Sequence, residues 1–239
     1  MSQQTGLQKP ALNKSRKVLN AIWDEAEKTL WVYDDLDNRS LQSTVAGLSR
    51  LGPTDTLLVR INSYGGDAFA GLALYNVLRS LPAKVITQID GIAASAAALV
   101  ALSGQRVRMG EHGMLFIHRA WTSVLGANAN QLRAIAQELE KIDGEIAAIV
   151  RQKTGVSEET VYQWLDGEAD GTLFSAQEAL QVGLADEIVS ASEAVEDYTQ
   201  MIKNAFRPKA YVPDNPPGGD GEGVEGEWEK PRLEDFTDK

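Results

Sequence analysis

Apolar and polar residues follow two patterns along most of this chain, one typical of buried strands and the other of amphipathic helices. Short apolar runs predict strands at Thr29–Tyr33, Leu57–Ile61, Lys84–Ile89, Gln105–Met109, Met114–His118 and Leu184–Val189. Helical spacing and capping signals predict helices at Ser40–Leu51, between Asp67 and Pro82, at Ser95–Leu102, Asn130–Thr154, after Ser157, at Phe174–Gly183 and from Ala191 to Phe206. This alternation predicts an α/β fold with parallel strands and right-handed crossovers.

Small residues follow two of the predicted strands. Asn62-Ser63-Tyr64-Gly65-Gly66 follows the second strand, and Asp90-Gly91-Ile92-Ala93-Ala94 follows the third as a predicted turn before Ser95. His118 ends a later strand. Because ligands bind at the carboxyl ends of the strands in parallel sheets, we expect Ser95 and His118 to lie at one sheet edge, beside both turns.

Ser95 is the candidate nucleophile, because the small residues around it leave its hydroxyl accessible and helix N–H groups would face an oxyanion beside it. A serine needs a base, and histidine suits proton transfer near neutral pH. The chain has two histidines, of which His118 ends a strand and His112 lies in a glycine turn that we predict to be a surface loop. The alternatives are that Ser95 only caps its helix and that His118 is purely structural.

The composition limits the classes of function. The chain has 239 residues, no cysteine and a formal net charge of −11, about half of which lies in residues 211–239. The absence of cysteine excludes disulfides, thiolate zinc sites and a cysteine nucleophile, and it fits a cytoplasmic protein. The negative charge argues against nucleic-acid binding, and no apolar run is long enough to span a membrane. Met1–Lys17 is polar, so we expect no cleaved secretion signal.

The same patterns divide the chain into three parts. We predict a flexible N-terminal arm at residues 1–17, one folded domain at residues 18–206 and a disordered acidic tail at residues 207–239, where proline and glycine are frequent. The helix Asn130–Thr154 is longer than the sheet needs, so we expect it to project and to pack on another copy of the chain.

Four motifs follow one another between Thr29 and Val189. They are Ile61-Asn62-Ser63-Tyr64-Gly65-Gly66, Gly91-Ile92-Ala93-Ala94-Ser95, Phe116-Ile117-His118, and Phe174-Ser175-Ala176-Gln177-Glu178-Ala179 with Gly183-Leu184-Ala185-Asp186. In this order they resemble the ClpP family of self-compartmentalising serine peptidases, and more closely the ClpP-related head maturation proteases of tailed phages. The resemblance implies a ClpP/crotonase-like fold with repeated strand-turn-helix units. Tyr64 departs from the better-known family pattern, which has proline at that position.

The resemblance also implies roles for individual residues. Ser95 would be the nucleophile and His118 the base, and the backbone N–H groups of Gly66 and Ala96 would form the oxyanion hole. We assign substrate contacts to Gly65, Asp67 and Leu125. No cofactor and no metal ion are implied, and the partners implied are protein substrates and further copies of the chain in a ring.

The third member of a triad of serine, histidine and acid is harder to assign. In the family an acid precedes the motif Phe174-Ser175-Ala176 at a spacing that selects Gly171 in this chain. We predict Asp170, the nearest acid, with Gly171 absorbing one additional loop residue. The alternatives are Glu168, Asp166, or an imidazole oriented by a backbone carbonyl or by water.

These expectations favour a serine endopeptidase that cleaves capsid, scaffold or portal proteins during phage head maturation, in the host cytoplasm or inside the procapsid. Three alternatives stay open: a cellular ClpP-type peptidase fed by an ATPase, a crotonase-like acyl-CoA enzyme, and an interaction or shell protein with a vestigial site. Labelling of Ser95 by a fluorophosphonate would exclude the last two.

Overall fold

A computed structural model describes residues 22–37, 44–168 and 170–190, which form a mixed α/β fold. The strands are β1 Ile22–Asp24, β2 Thr29–Val32, β3 Thr56–Ser63, β4 Lys84–Ala94, β5 Arg106–Gly110, β6 Met114–Ile117, β7 Thr172–Ser175 and β8 Glu187–Val189. Within the described residues they form one sheet in the order β1-β2-β3-β4-β5-β8, with β6 paired to β4 and β7 paired to β6. The fold class expected from the sequence is confirmed.

Four of the five helices named here start after a capping side chain, and α2 is the exception. They are α1 Ala68–Ser80, α2 Ala96–Ala101, α3 Ala129–Thr154, α4 Glu158–Asp166 and α5 Ala176–Gln181, and residues 44–48 are also helical. Asp67 caps α1 by accepting the N–H of Ala70 at 2.8 Å, while Asn128 and Ser175 form capping boxes. None of the helices in the described ranges is both long and apolar enough to cross a membrane.

The core lies between the sheet and the helices that cover it. All six residues of α2 are buried. Gly71 of α1 faces the start of α2, where an added Cβ would lie 2.8 Å from the Cβ and 2.9 Å from the carbonyl oxygen of Ala96. This glycine therefore lets α1 pack closely on α2 and fixes where the short helix begins.

The strand β4 is longer than the sequence predicted, because the expected turn at Asp90–Ala94 is part of the strand. The first half of β4 pairs with β5 over Ile86–Ile89, and its last residues pair with β6 over Ile92–Ala94. The small residues that end β4 therefore still form strand hydrogen bonds, but with β6 in place of β5. This branch brings the end of β4 beside β6, the strand that precedes His118.

Two further strands were not predicted. Phe174 and Ser175, expected in a helix, belong to β7, because β7 pairs antiparallel with β6 and α5 begins only at Ala176. The short β1 pairs antiparallel with β2, so the sheet is mixed rather than wholly parallel.

The long helix α3 is buried only in its second half. Its buried residues are Asp143, Ile146, Ala147, Ile149 and Val150, and most of its first half is exposed. This is the projecting arrangement expected from its length. The predicted arm at residues 1–17, the tail at residues 207–239 and the helix from Ala191 lie outside the described residues, as do the first residues of the helix predicted at Ser40–Leu51.

Candidate active site

Ser95 lies at the sharp junction between β4 and α2. Its φ of 55° and ψ of −125° place it outside the backbone regions that residues other than glycine usually adopt, and its side chain makes no capping hydrogen bond. Such a conformation costs about 1–3 kcal/mol and is frequent at functional sites. The junction is held because the N–H of Ser95 donates to the carbonyl of Phe116 at 3.0 Å. The geometry therefore argues against a simple capping role.

His118 directly follows β6 and lines the same cleft as Ser95. Its imidazole stacks on the ring of Phe116, with centroids 5.2 Å apart and an interplanar angle of 18°. Burial lowers the pKa of His118, while a hydrogen bond to the backbone of Arg119 and the charge of Asp143 act in the opposite direction. A lowered pKa keeps the imidazole neutral near pH 7, which is the form that accepts a proton.

The other histidine is placed as the sequence predicted. The side chain of His112 is 91% exposed and its Nε2 lies 3.3 Å from a carboxylate oxygen of the adjacent Glu111. It lies in the turn between β5 and β6, outside the cleft that holds His118. This leaves His118 as the histidine at the candidate site.

The cleft that Ser95 and His118 share has a volume of about 690 Å³, and Asp170 also lines it. Asp166 lines the same cleft, but its carboxylate is paired with Arg119, which holds the pKa of Asp166 below its usual range. Glu168 is exposed and is not among the residues that line the cleft. Of the three acids considered from the sequence, Asp166 and Asp170 thus line the cleft with Ser95 and His118. Asp166 is engaged in an ion pair with Arg119, which leaves Asp170 as the better candidate.

The close packing around Gly171 explains why this position holds glycine and not an acid. A Cβ added there would lie 2.6 Å from the Cβ of His118 and 2.7 Å from both the carbonyl oxygen of Ile117 and Cζ of Phe116. Its φ of 144° also disfavours any side chain. The loop therefore packs its backbone against His118, and Asp170, with a φ of 55°, directly precedes this contact in the chain.

The predicted oxyanion donors lie beside Ser95. The carbonyl of Gly65 accepts the N–H of Leu36 at 2.5 Å, and the carbonyl of Leu36 accepts the N–H of Asp67 at 3.0 Å. These two bonds anchor the glycine turn without using the N–H of Gly66. Ala96 is the first residue of α2, and the first N–H groups of a helix have no acceptor within that helix. Both N–H groups are suited to bind a developing negative charge.

Gly65, to which the sequence analysis assigns a substrate contact, is in a tightly packed position. It lies against the backbone around Ser95, where an added Cβ would be 2.6 Å from the carbonyl oxygen of Ala94 and 2.9 Å from the nitrogen of Ala96. It is absent from the residues that line the three clefts at Ser95, and its assigned substrate contact stays a prediction. Its φ of 105° allows the glycine turn to pack against the backbone at Ser95.

A second, larger cleft extends from Ser95 and His118 along α3, with a volume of about 830 Å³. Asp67 and Leu125 line it, as assigned from the sequence, although the carboxylate of Asp67 also caps α1. Leu125 is fully exposed, and Phe69 and Trp121 are 64% and 74% exposed. This cleft therefore exposes several apolar side chains next to Ser95.

Sequence reasoning missed Phe69, Phe116, Trp121, Arg119 and Asp143. The signal for Asp143 was present, since it is a charged residue that falls among the apolar positions of α3. Phe116 stood in the motif that ends at His118, and the contacts of Arg119 with α3 and α4 depend on tertiary packing, which local sequence patterns do not show. Within the described residues, no group of three or more His, Cys, Asp or Glu side chains is placed to hold a metal ion.

Comparison with known proteins gives a consistent result. The model of the Clp protease family matches residues 13–192. The ATP-dependent Clp protease proteolytic subunit of Bacteroides fragilis is 29% identical over 158 residues, which cover 65% of this chain and 74% of that protein. The proteolytic subunit 1 of Protochlamydia amoebophila is 28% identical over 210 residues, covering 82% and 99% of the two chains. The proteolytic subunit 2 of Treponema denticola is 32% identical over 145 residues, covering 59% and 70%.

Proposed function

The chain belongs to the Clp protease family, a family of serine-type peptidases, and on this premise we propose that it is a serine endopeptidase whose nucleophile is Ser95 and whose base is His118. The observation that carries the proposal is the strained junction that presents Ser95 to the cleft lined by His118. Asp170 is proposed as the acid that orients the imidazole. The N–H groups of Gly66 and Ala96 are proposed as the oxyanion donors.

The proposed reaction is acyl transfer to the serine and then to water. The hydroxyl oxygen of Ser95 attacks the peptide carbonyl while His118 accepts its proton, and the two N–H groups stabilise the resulting oxyanion. The protonated imidazole then donates that proton to the departing amine, which leaves an acyl-enzyme. Water, deprotonated by the same imidazole, hydrolyses the ester and restores the hydroxyl. Asp170 holds the imidazole tautomer whose free nitrogen faces the serine.

A fluorophosphonate probe tests this proposal, because it forms a stable bond only with an activated serine. We expect labelling of the wild-type protein at Ser95, located by peptide mass spectrometry. Labelling should disappear in Ser95→Ala and fall strongly in His118→Ala. A wild-type protein that is not labelled would contradict the proposed mechanism and would favour a protein with a vestigial site. The family membership itself already favours a peptidase over a crotonase-like acyl-CoA enzyme.

Two biological roles fit the same chemistry. The relatives named above are proteolytic subunits of ATP-dependent Clp proteases, which supports a peptidase fed with unfolded protein by an ATPase ring. Maturation of a phage head is the second candidate, and it rests on the resemblance of the four motifs alone. In both roles the substrate is a protein, and we propose a cytoplasmic setting for either.

An assay with two substrates separates the roles. Casein is incubated with the protein, with and without a Clp-type ATPase and ATP, and a capsid precursor protein is incubated with the protein alone. Degradation of casein that requires the ATPase favours the cellular role. Limited cleavage of the capsid precursor without any ATPase favours head maturation.

We also propose that the protein assembles into rings. The exposed first half of α3 and the apolar side chain of Leu132, which is 49% exposed, are typical of a surface that packs on another copy. Light scattering at micromolar concentration should report a multiple of the 25.9 kDa chain mass. A monomer under these conditions would contradict the proposal.

A further inference from the structure

Arg119, the residue directly after His118, lies between two carboxylates from different helices. Its Nη1 donates to Oδ2 of Asp143 in α3 at 3.1 Å, and its Nη2 donates to Oδ2 of Asp166 in α4 at 3.0 Å. Its Nε donates to the other oxygen of Asp166, and its guanidinium lies 4.9 Å from the centre of the Tyr162 ring. The end of β6 is thereby joined to both α3 and α4.

Asp143 holds the same segment through the backbone as well. It is 4% exposed, and its Oδ1 accepts the N–H of Ala120 at 2.7 Å. Burying a carboxylate costs several kcal/mol unless it is paired and hydrogen-bonded, and an apolar residue would have filled this position of α3 without that cost. The carboxylate of Asp143 thus holds two successive residues, Arg119 and Ala120, immediately after His118.

The contacts on the two sides of His118 complement one another. Before it, Phe116 is fixed by the ladders to Ala94 in β4 and Leu173 in β7. After it, the segment leaves the sheet and has no strand partner. The contacts of Asp143 take over where the β6 ladder ends, and without them the imidazole would be anchored from one side only.

We propose that Arg119 and Asp143 form a clamp that positions His118 toward Ser95, and that the charge of Asp143 stabilises the imidazolium that forms during turnover. This inference rests on the function proposed above. Both are positioning residues, because they act through His118 and not on the reacting atoms. Asp166 shares Arg119 but contacts neither the backbone of Ala120 nor His118, which makes it a matched control.

The electrostatics agree with this arrangement. The negative charge of Asp143 raises the pKa of His118 against the lowering that burial causes. Titratable and charged side chains from several elements line the three clefts at His118 or contact its neighbours. They are Tyr64, Asp67, Arg119, Glu138, Lys141, Asp143, Asp166 and Asp170. Of these, Asp143 is the one whose charge acts on the pKa of His118.

A titration of the two imidazoles by NMR tests the clamp without any substrate. The full chain is labelled with ¹³C at histidine Cε1, and the signal of His112, which is 91% exposed, serves as an internal reference. We expect Asp143→Asn to lower the pKa of His118 by about half a unit or more, because it removes a nearby negative charge. Arg119→Met should raise it, because the charge of Asp143 is then no longer neutralised. Asp166→Asn should leave it within about 0.2 units of the wild type.

Turnover of a fluorogenic peptide supplies the second readout. Asp143→Asn and Arg119→Met should each lower kcat about tenfold or more with KM within about twofold, whereas Asp166→Asn should change kcat less than threefold. Arg119→Lys should recover only part of the loss, since an ammonium can pair with the carboxylate of Asp143 but lacks the planar geometry of the guanidinium.

The outcomes distinguish the clamp from the proposed function. Equal effects of Asp143→Asn and Asp166→Asn, or shifts of the same sign in Asp143→Asn and Arg119→Met, would overturn the clamp. If Asp143→Asn does not fold, the rise in the pKa of His118 in Arg119→Met decides, and its absence overturns the proposal. A wild-type protein that is not labelled by a fluorophosphonate would instead contradict the peptidase function, while the titration would still report on the clamp.

Discussion

The two sides of the candidate site are built in different ways. On the serine side, Ser95 is fixed by regular structure, because β4 ends at Ala94, α2 begins at Ala96 and the ladder to β6 runs up to the junction. On the acid side, Asp170 lies in a loop between α4 and β7, and its place depends on a left-handed backbone and on the packing of Gly171 against His118. Secondary structure therefore determines the position of Ser95, the proposed nucleophile, whereas tertiary packing of a few loop atoms determines that of Asp170, the proposed acid.

The serine side should show the largest effect of a single substitution. Ser95→Ala and His118→Ala should each reduce peptide turnover by about 10³-fold or more, because the nucleophile and the base act as one unit. The double variant should be no worse than either single variant. Circular dichroism and the assembly state should match the wild type, since Ser95→Ala removes one oxygen atom. Substantial activity in Ser95→Ala would place the nucleophile elsewhere.

The acid side is tested by exchanging one carboxylate at a time. Asp170→Asn should lower kcat by about 10²- to 10⁴-fold, because an amide no longer holds the imidazole in the productive tautomer. Glu168→Gln, two residues away and exposed, should stay within about twofold of the wild type. If Glu168→Gln is the damaging change and Asp170→Asn is tolerated, the acid is Glu168 and the assignments of Ser95 and His118 are unaffected.

The contrast between regular secondary structure and tertiary packing also separates what the sequence predicted from what it missed. The strands β2 to β6, the long helix α3 and the meeting of Ser95 with His118 at one sheet edge follow from local patterns. The continuation of β4 through Asp90–Ala94 was missed because it depends on pairing with β6. The strand β7 was missed for the same reason, since Phe174 pairs with Leu115, a residue far away in sequence. Arg119 and Asp143 meet only because α3 packs beside the end of β6.

A glycine substitution tests whether close packing positions the acid loop. Gly171→Ala should lower kcat by about 10- to 10²-fold, because the added Cβ would lie 2.6 Å from that of His118 and must displace the loop or the histidine. The matched control is Gly126→Ala, which also has a positive φ, of 73°, but no atom within 4 Å of the added Cβ. Both positions have a positive φ, although the φ of 144° at Gly171 lies farther from the region that alanine can adopt than the 73° at Gly126. The variants therefore compare a crowded glycine, next to His118, Ile117 and Phe116, with an open one. Equal kcat values for the two would show that the packing of Gly171 has no part in catalysis.

The smallest expected effect concerns the ring stacked on His118. Phe116→Leu keeps an apolar strand residue but removes the aromatic face 5.2 Å from the imidazole, which leaves His118 more exposed to water. Because burial lowers the pKa of His118, greater exposure should raise it, and the acid limb of kcat/KM should move to higher pH by about 0.3 units. We expect turnover at high pH, where the imidazole is neutral, to fall by no more than about fivefold. The control is Phe174→Leu, which removes a ring from the Trp164 pair and leaves His118 untouched, so its pH profile should match the wild type. A shift of the limb to lower pH in Phe116→Leu would show that stacking, and not burial, sets the titration of His118.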